Sequence, residues 1–491
     1  MDWNLIRYIL FGKQPPARVR EGRDDLYDEG KTMGTPVISR QGSGKTTLLC
    51  RMLMDDFQRH PNKAFFILDS GGSDREAILK LVAQLPDDVR EKALKRIVLD
   101  EMGHPDVVVP LPEFSDKYGP LAEQPQRVAQ NFVKLSPHLV QNAPFLAGLG
   151  LQQVAPHIFN LCCHTTNQHG ENWQITEAKR FLTDKGLVRL DINKFGGNMP
   201  DTKFFLEKIY LGWKNEEREL RCYAIVALLN MIEAREVRAR LGYYRPGWTP
   251  KEAIEKGLMV IVDGSRLINQ KNAQHYLFTQ VYSLIMQEIN RRIPGDPNDQ
   301  PVALVMDEVY SLLGIPGMAE EVGMLSPLYR SRKLEPYIVL QTLSQLAPPL
   351  NKQIWSFGNK IIGAIENKDE AEEIARQLFK YDPRYMKQPA RNPNQNSITE
   401  PEAGQDRIIA DWIQNLKFRE FLMRRFISER EVEPMVVHVT RTRSLPTHPP
   451  YCNVWELEDR LLKERGIPVR DALEVINQRK IEQERRGPPS V

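Results

Sequence analysis

The stretch Thr35-Pro-Val-Ile-Ser-Arg-Gln-Gly-Ser-Gly-Lys-Thr-Thr-Leu-Leu49 constrains this chain more than any other, because it demands three structures in a fixed order. A short apolar run reads as a buried strand, the glycines as a tight loop, and the residues from Lys45 as the first turn of a helix. Such a junction aims successive backbone N–H groups and a helix amino terminus at one point, which is a cradle for phosphate. The loop set is Gln41, Gly42, Ser43, Gly44, Lys45, Thr46 and Thr47. In it Lys45 reaches the outer phosphates of a nucleoside triphosphate, and the Thr46 hydroxyl is placed to ligate Mg²⁺. The pattern departs from G-x-x-x-x-G-K-[ST] at one place, where Ser39 stands for the first glycine.

A second run, Val302-Ala-Leu-Val-Met-Asp-Glu308, is continuously apolar and ends in two acids. Unbroken apolarity suits a strand buried on both faces of a parallel sheet, and ligands of such sheets collect at the carboxyl ends of the strands. Asp307 is then the expected Mg²⁺ residue, acting through water, and Glu308 the group that polarises the water attacking the γ-phosphate.

Ala64-Phe-Phe-Ile-Leu-Asp69, Arg96-Ile-Val-Leu-Asp100, Leu258-Met-Val-Ile-Val-Asp263 and Tyr337-Ile-Val-Leu-Gln341 read as further strands, with a long helix from Gln270 to Arg292. Strands alternating with helices predict an α/β fold, doubly wound around a mostly parallel sheet. Between residues 120 and 254 helical patterns dominate, and an inserted all-helical domain is expected there. The expected organisation is an arm over residues 1–30, a core over 31–119 and 255–386, a linker or loop over 387–407, and a carboxyl-terminal segment over 408–491 ending in a charged helical tail, with 485–491 frayed. At 491 residues the chain is too long for one ordinary core. The balance of 67 basic and 64 acidic residues gives a formal charge of only +3. Any nucleic-acid contact must therefore come from local charge or from a pore built by several copies. Five cysteines without regular spacing fit reduced thiols. No apolar run reaches membrane-spanning length, and a cytoplasmic protein is expected.

The order of these elements resembles the FtsK/HerA superfamily of P-loop motor ATPases, and within it the TraG-like coupling ATPases of type IV secretion and conjugation. The resemblance spans residues 35 to 385. It rests on Gly42-Ser-Gly-Lys-Thr46, the Asp69-Ser-Gly-Gly72 turn, the helical insertion, Gly257-Leu-Met-Val-Ile-Val-Asp263, Asp307-Glu308, Tyr329-Arg-Ser-Arg-Lys333 and Val339-Leu-Gln-Thr-Leu-Ser-Gln345. It implies a RecA-like P-loop core with ATP and Mg²⁺ as ligands, and a homo-oligomer, a hexamer, with ATP at its subunit interfaces. Gln341 would be the γ-phosphate sensor on a strand lying between the two nucleotide-motif strands. Arg332 would be the finger reaching a neighbour's site, with Arg330 and Lys333 as the next candidates. DNA is the expected translocated partner. Two alternatives stay open: a secretion ATPase moving protein substrates, and a slow nucleotide-dependent assembly switch. Many coupling ATPases carry an amino-terminal membrane segment that this sequence lacks. A soluble relative is therefore expected, or one held at the inner membrane by a secretion-channel or anchoring partner.

Two other groupings are weaker. His157, Cys162, Cys163, His164 and His169 match no zinc-ligand spacing and read as core. Arg235, Arg238, Arg240, Tyr243, Tyr244 and Arg245 have the residue types for phosphate and base contacts, but read as a solvated helix face with a packed aromatic pair.

Overall fold

A computed structural model describes residues 19–21, 34–139, 150–167, 170–308, 316–346, 350–379, 386–388, 398–399, 402–424, 437–446 and 453–486. His169 and nearly all of the expected amino-terminal arm lie outside these residues.

The strands are β1 (Val19–Glu21), β2 (Thr35–Ile38), β3 (Ala64–Asp69), β4 (Ile97–Glu101), β5 (Val107–Val108), β6 (Met259–Asp263), β7 (Val302–Asp307), β8 (Leu334–Leu340), β9 (Lys360–Ile362), β10 (Met386–Gln388), β11 (Ile398–Thr399), β12 (Glu420–Arg424), β13 (Val437–Arg441) and β14 (Ile467–Pro468). Ten of them form one sheet in the order β1-β13-β12-β9-β2-β8-β7-β3-β6-β4. From β9 to β4 every pairing is parallel. β12 runs antiparallel to both β9 and β13. The parallel strands carry unbroken apolar runs because both faces are covered. On β3, for example, Phe66 and Leu68 enter one core while Phe65 and Ile67 enter the other.

The second core is closed by α1 (Lys45–Arg59), α2 (Ser73–Ala83) and Leu457, Leu461 and Leu462 of a late helix, Val454–Arg465. The first core is closed by α3 (Gln124–Leu139), by α4 (Lys271–Asn290) and by the helical stretch between them. From Gln124 to Lys256 the described residues form helices and short 3₁₀ turns, with one isolated bridge between Thr166 and Asn172. Its buried Phe159, Trp173 and Tyr210 belong to the same contiguous core as Phe66 and Leu304 of the sheet. The helical stretch is thus packed onto the sheet by its apolar face.

The carboxyl-terminal segment returns to the sheet through β12 and β13, then packs its helix Val454–Arg465 beside β4, and its Arg460 pairs with Glu91 of the helix Asp87–Leu94 at 2.7 Å. The last helix, α5 (Val469–Arg486), lies against Arg235–Gly242, with buried Arg479 donating to Gly242 O at 2.9 Å and Asn172 O at 2.7 Å. At the expected boundary between core and linker, β10 pairs antiparallel with β11. Among the described residues no helix is long and apolar enough to cross a membrane.

Candidate nucleotide site

Parallel register decides what meets at the carboxyl edge of the sheet. β8 lies between β2 and β7, as the resemblance implies, pairing Ile38 with Leu340 and Asp307 with Val339. Asp307 is also in register with Asp69, and Asp69 with Asp263. The loop after β2, the acids after β7 and the amide after β8 are therefore neighbours by construction.

Helix α1 begins at Lys45 with Gly44 in the left-handed region as its cap, and no side chain caps it. Uncapped first-turn amides beside a buried lysine form an anion site. Ser39 fits the place of the missing glycine because Gly363 faces it. A Cβ on Gly363 would fall 2.7 Å from Ser39 Cβ and closer still to its Oγ. The space that the loop glycine would leave is supplied by the neighbouring strand end. Arg40 N–H donates to Ala364 O at 2.8 Å, which ties the loop to the same segment.

Around the loop lies a cavity of about 350 Å³ lined by Gly42, Gly44, Lys45, Thr46, Glu308 and Phe418, among others. Lys45 Nζ stands 3.7 Å from Glu308 Oε1, and Gln341 Nε2 donates to that same oxygen at 2.8 Å. Glu308 holds a left-handed backbone, φ 51°, and its carbonyl accepts from Ser70 Oγ at 2.9 Å. A non-glycine residue in that region costs roughly 1–3 kcal/mol and persists where its surroundings fix it. Here it turns the carboxylate toward Lys45 instead of along the strand.

Asp307 is buried, and its Oδ1 has no hydrogen-bond partner. Burial, then the charges of Asp69 and Glu308, push its carboxyl up to about 7, against the opposing pull of Lys45. Asp69 is pushed up to about 6 by burial and by Asp263, yet it has partners: its oxygens accept from Gly72 N at 2.8 Å and Asp74 N at 2.8 Å. It caps α2. Asp263 is matched by Arg75 at 2.9 Å. Asp74 Oδ2 and Asp263 Oδ2 are buried without a hydrogen-bond partner too, but Asp263 has the Arg75 guanidinium as its counter-charge; a divalent cation is what the carboxylate of Asp307, at the strand end next to the loop, fits. Thr46 and Asp307 would hold that Mg²⁺, which would supply charge neutralisation between phosphate oxygens.

Gln41 and Gly42 are exposed at the loop, Ser43 is buried with an unpartnered Oγ, and Thr47 is half-buried in the first turn of α1. Arg332 is not brought to this site. It precedes β8, whose seven residues separate it from Gln341 by roughly 23 Å at about 3.3 Å per residue. Within one subunit it stands on the opposite edge of the sheet. There its Nε donates to Arg292 O at 3.4 Å, while Lys333 Nζ is tied to Pro297 O at 2.9 Å and Asp299 O at 2.6 Å.

The sequence reading missed the contribution of β12 and its preceding turn. Arg419 N–H donates to Ser43 O at 2.8 Å, and a Cβ on Gly44 would lie 2.6 Å from Arg419 Cγ. Nothing local to Phe418-Arg419 announces this, since the contact comes from long-range antiparallel pairing. Of the weaker groupings, Cys162 and Cys163 are buried, burial pushes the Cys163 thiol up to about 12, and His157 stacks on Phe205 at 4.2 Å. Those are packing roles. Arg240 is no solvated residue: it is buried in a two-pronged pair with Asp100, which also accepts from Trp248 Nε1 at 2.9 Å. Tyr243 and Tyr244 pack on each other with centroids 5.0 Å apart.

No family model matches the chain, and no curated protein does. Solved structures do. The bacterial conjugative coupling protein TrwBdeltaN70, in an unbound monoclinic form, superposes with a TM-score of 0.53 at 14% identity, covering 89% of this chain and 92% of that one. The plasmid coupling protein TrwB in complex with the non-hydrolysable GTP analogue GDPNP gives 0.51 at 14% identity, over 88% and 93%. TrwB in complex with the non-hydrolysable ATP analogue ADPNP gives 0.50 at 12% identity, over 88% and 93%. The chain has the α/β, RecA-like fold of the TrwB coupling protein.

Proposed function

We propose that this protein is a Mg²⁺-dependent ATPase motor of the type IV coupling class, working as a hexamer that draws DNA through its central pore. The observation that carries the reading is the convergence of Lys45, Glu308 and Gln341 at the end of three adjacent parallel strands beside the uncapped amino terminus of α1. One cation for phosphate, one carboxylate for water and one amide bonded to that carboxylate are the parts a hydrolase needs. With a γ-phosphate bound, Lys45 exchanges Glu308 for phosphate oxygen, which frees the carboxylate to take the proton of the attacking water. Gln341 then reports the state of the site through its bond to Glu308.

Arg332 acts in trans. Its place on the opposite sheet edge supports action across a subunit interface, and Lys333 is bonded to loop carbonyls. A guanidinium from the neighbour would neutralise charge on the transferring phosphoryl group. A coupling protein of the same fold was crystallised with an ATP analogue, which supports the nucleotide part of this reading.

The test is ATP turnover by the purified chain with and without DNA. Stimulation of many-fold by DNA, abolished in Lys45→Ala, is the expected result. Stimulation by a protein partner alone would point to protein export, and slow turnover unaffected by either, in an intact assembly, to a nucleotide-controlled switch.

A further inference from the structure

One side chain of the cavity has no part in phosphate chemistry. Phe418 lines the same space as Gly42, Gly44 and Lys45, yet the residue is 59% exposed. An exposed aromatic ring beside an anion site gains nothing from phosphate. The part of a nucleoside triphosphate that it suits is the base, which has an apolar face and follows the phosphates out of the loop.

The ring is held in place. Its neighbour Arg419 takes a left-handed backbone, φ 65°, and is pinned on both sides. Its N–H donates to Ser43 O at 2.8 Å, and its carbonyl accepts from Thr442 N–H at 3.1 Å. The turn is closed by Glu420 N–H on Lys417 O at 2.9 Å and by Lys417 N–H on Glu420 Oε2 at 3.0 Å. The Arg419 guanidinium carbon lies 4.9 Å from the centroid of the Phe418 ring. A cation over one face of a ring whose surface is still mostly open leaves the other face as a pre-set stacking surface. The direct bond from this turn to the phosphate loop fixes the distance between ring and phosphates.

We infer that Phe418 is the platform on which the base of the bound nucleoside triphosphate stacks, so that the carboxyl-terminal segment, through the turn before β12, completes the nucleotide site within its own subunit. This rests on the nucleotide reading of the site given above. It also gives β12 a role beyond extending the sheet, since the turn that carries Phe418 is bonded to Ser43.

The test compares two probes on the full chain by titration calorimetry: a non-hydrolysable ATP analogue with Mg²⁺, and inorganic tripolyphosphate with Mg²⁺, which has the phosphates and no base. Phe418→Ala should weaken the analogue about 5- to 100-fold, the range that stacking on one aromatic side chain supports, and leave tripolyphosphate within about twofold. Phe418→Trp should bind both probes like the wild type, and its added fluorescence should change with the analogue and not with tripolyphosphate. Equal weakening of both probes by Phe418→Ala would overturn the inference, because the ring would then only prop the loop. So would unchanged affinity for both, or a fluorescence change in Phe418→Trp that tracks self-association of the chain instead of nucleotide. Should Phe418→Ala fail to fold, the fluorescence of Phe418→Trp decides. If the wild type binds neither probe, the nucleotide reading itself fails, which is a different result from analogue and tripolyphosphate losing affinity together.

Discussion

Replacing Asp307 by Asn should make the metal-free protein more stable, and by an amount that grows with pH. The native state holds this carboxyl at about 7, against an ordinary 3.8, chiefly because burial disfavours its charge. Between those values the folded chain binds a proton that the unfolded chain has released. Stability therefore falls as pH rises through the window and levels off above 7, at about 1.4 kcal/mol per pH unit in its interior. Asn has nearly the same shape and never ionises, so the variant is spared that slope; Asp74, whose carboxyl the Asp307 charge helps push up, is relieved of that push in the variant and adds to the difference in the same direction. The difference in unfolding free energy, variant minus wild type, should widen by roughly 2–3 kcal/mol between pH 5 and pH 8. Urea denaturation at four pH values with chelator present measures it. Saturating Mg²⁺ at pH 8 should then stabilise the wild type and do little for the variant. A difference that stays constant from pH 5 to pH 8 would refute the argument that Asp307 is a buried acid awaiting a cation.

Three further outcomes follow from other parts of the molecule. Glu308→Gln should keep nucleotide affinity and lower turnover by about 100-fold or more, since the amide cannot take the proton, as single-turnover kinetics would reveal; wild-type turnover would assign the water to another group. Gly363→Ala should lose roughly 1–3 kcal/mol in thermal or urea unfolding through the clash with Ser39, and Ser39→Gly in the same chain should recover part of it, because Phe421 also crowds the new methyl. Arg240→Ala should cost about 3–5 kcal/mol by stranding the buried charge of Asp100, with DNA affinity of the surviving folded protein unchanged.

How much could be read in advance depends on the distance over which each residue is fixed. The loop from Gln41 to Thr47 and the strand ending in Asp307-Glu308 are local patterns whose function follows from backbone geometry, and both are where that geometry puts them. The placement of β8 between β2 and β7 was legible only through resemblance, because strand order is set by crossovers that no single segment encodes. The return of β12 and β13 to the sheet was not legible at all. Glu420-Phe-Leu-Met-Arg424 is short, and its partner β9 lies some sixty residues earlier, so its pairing is decided by the edge it finds open. Phe418 was missed with it. Arg240 misled for the opposite reason: its helix is rich in arginine, and what buries it is an aspartate at position 100 together with Trp248. The Ser39 departure weakened the loop motif on paper, but the compensating glycine sits at position 363.

In the proposed mechanism hydrolysis needs two subunits, one giving Lys45, Glu308 and Gln341 and the next giving Arg332. Mixing two inactive variants measures this directly: Arg332→Ala chains have an intact loop, and Lys45→Ala chains have an intact finger. Each alone should bind as an assembled ring and turn over little ATP, whereas co-assembled rings should regain activity in proportion to the interfaces that pair one intact half with the other. Mixed rings verified by sedimentation that show no recovery at any ratio would contradict the account.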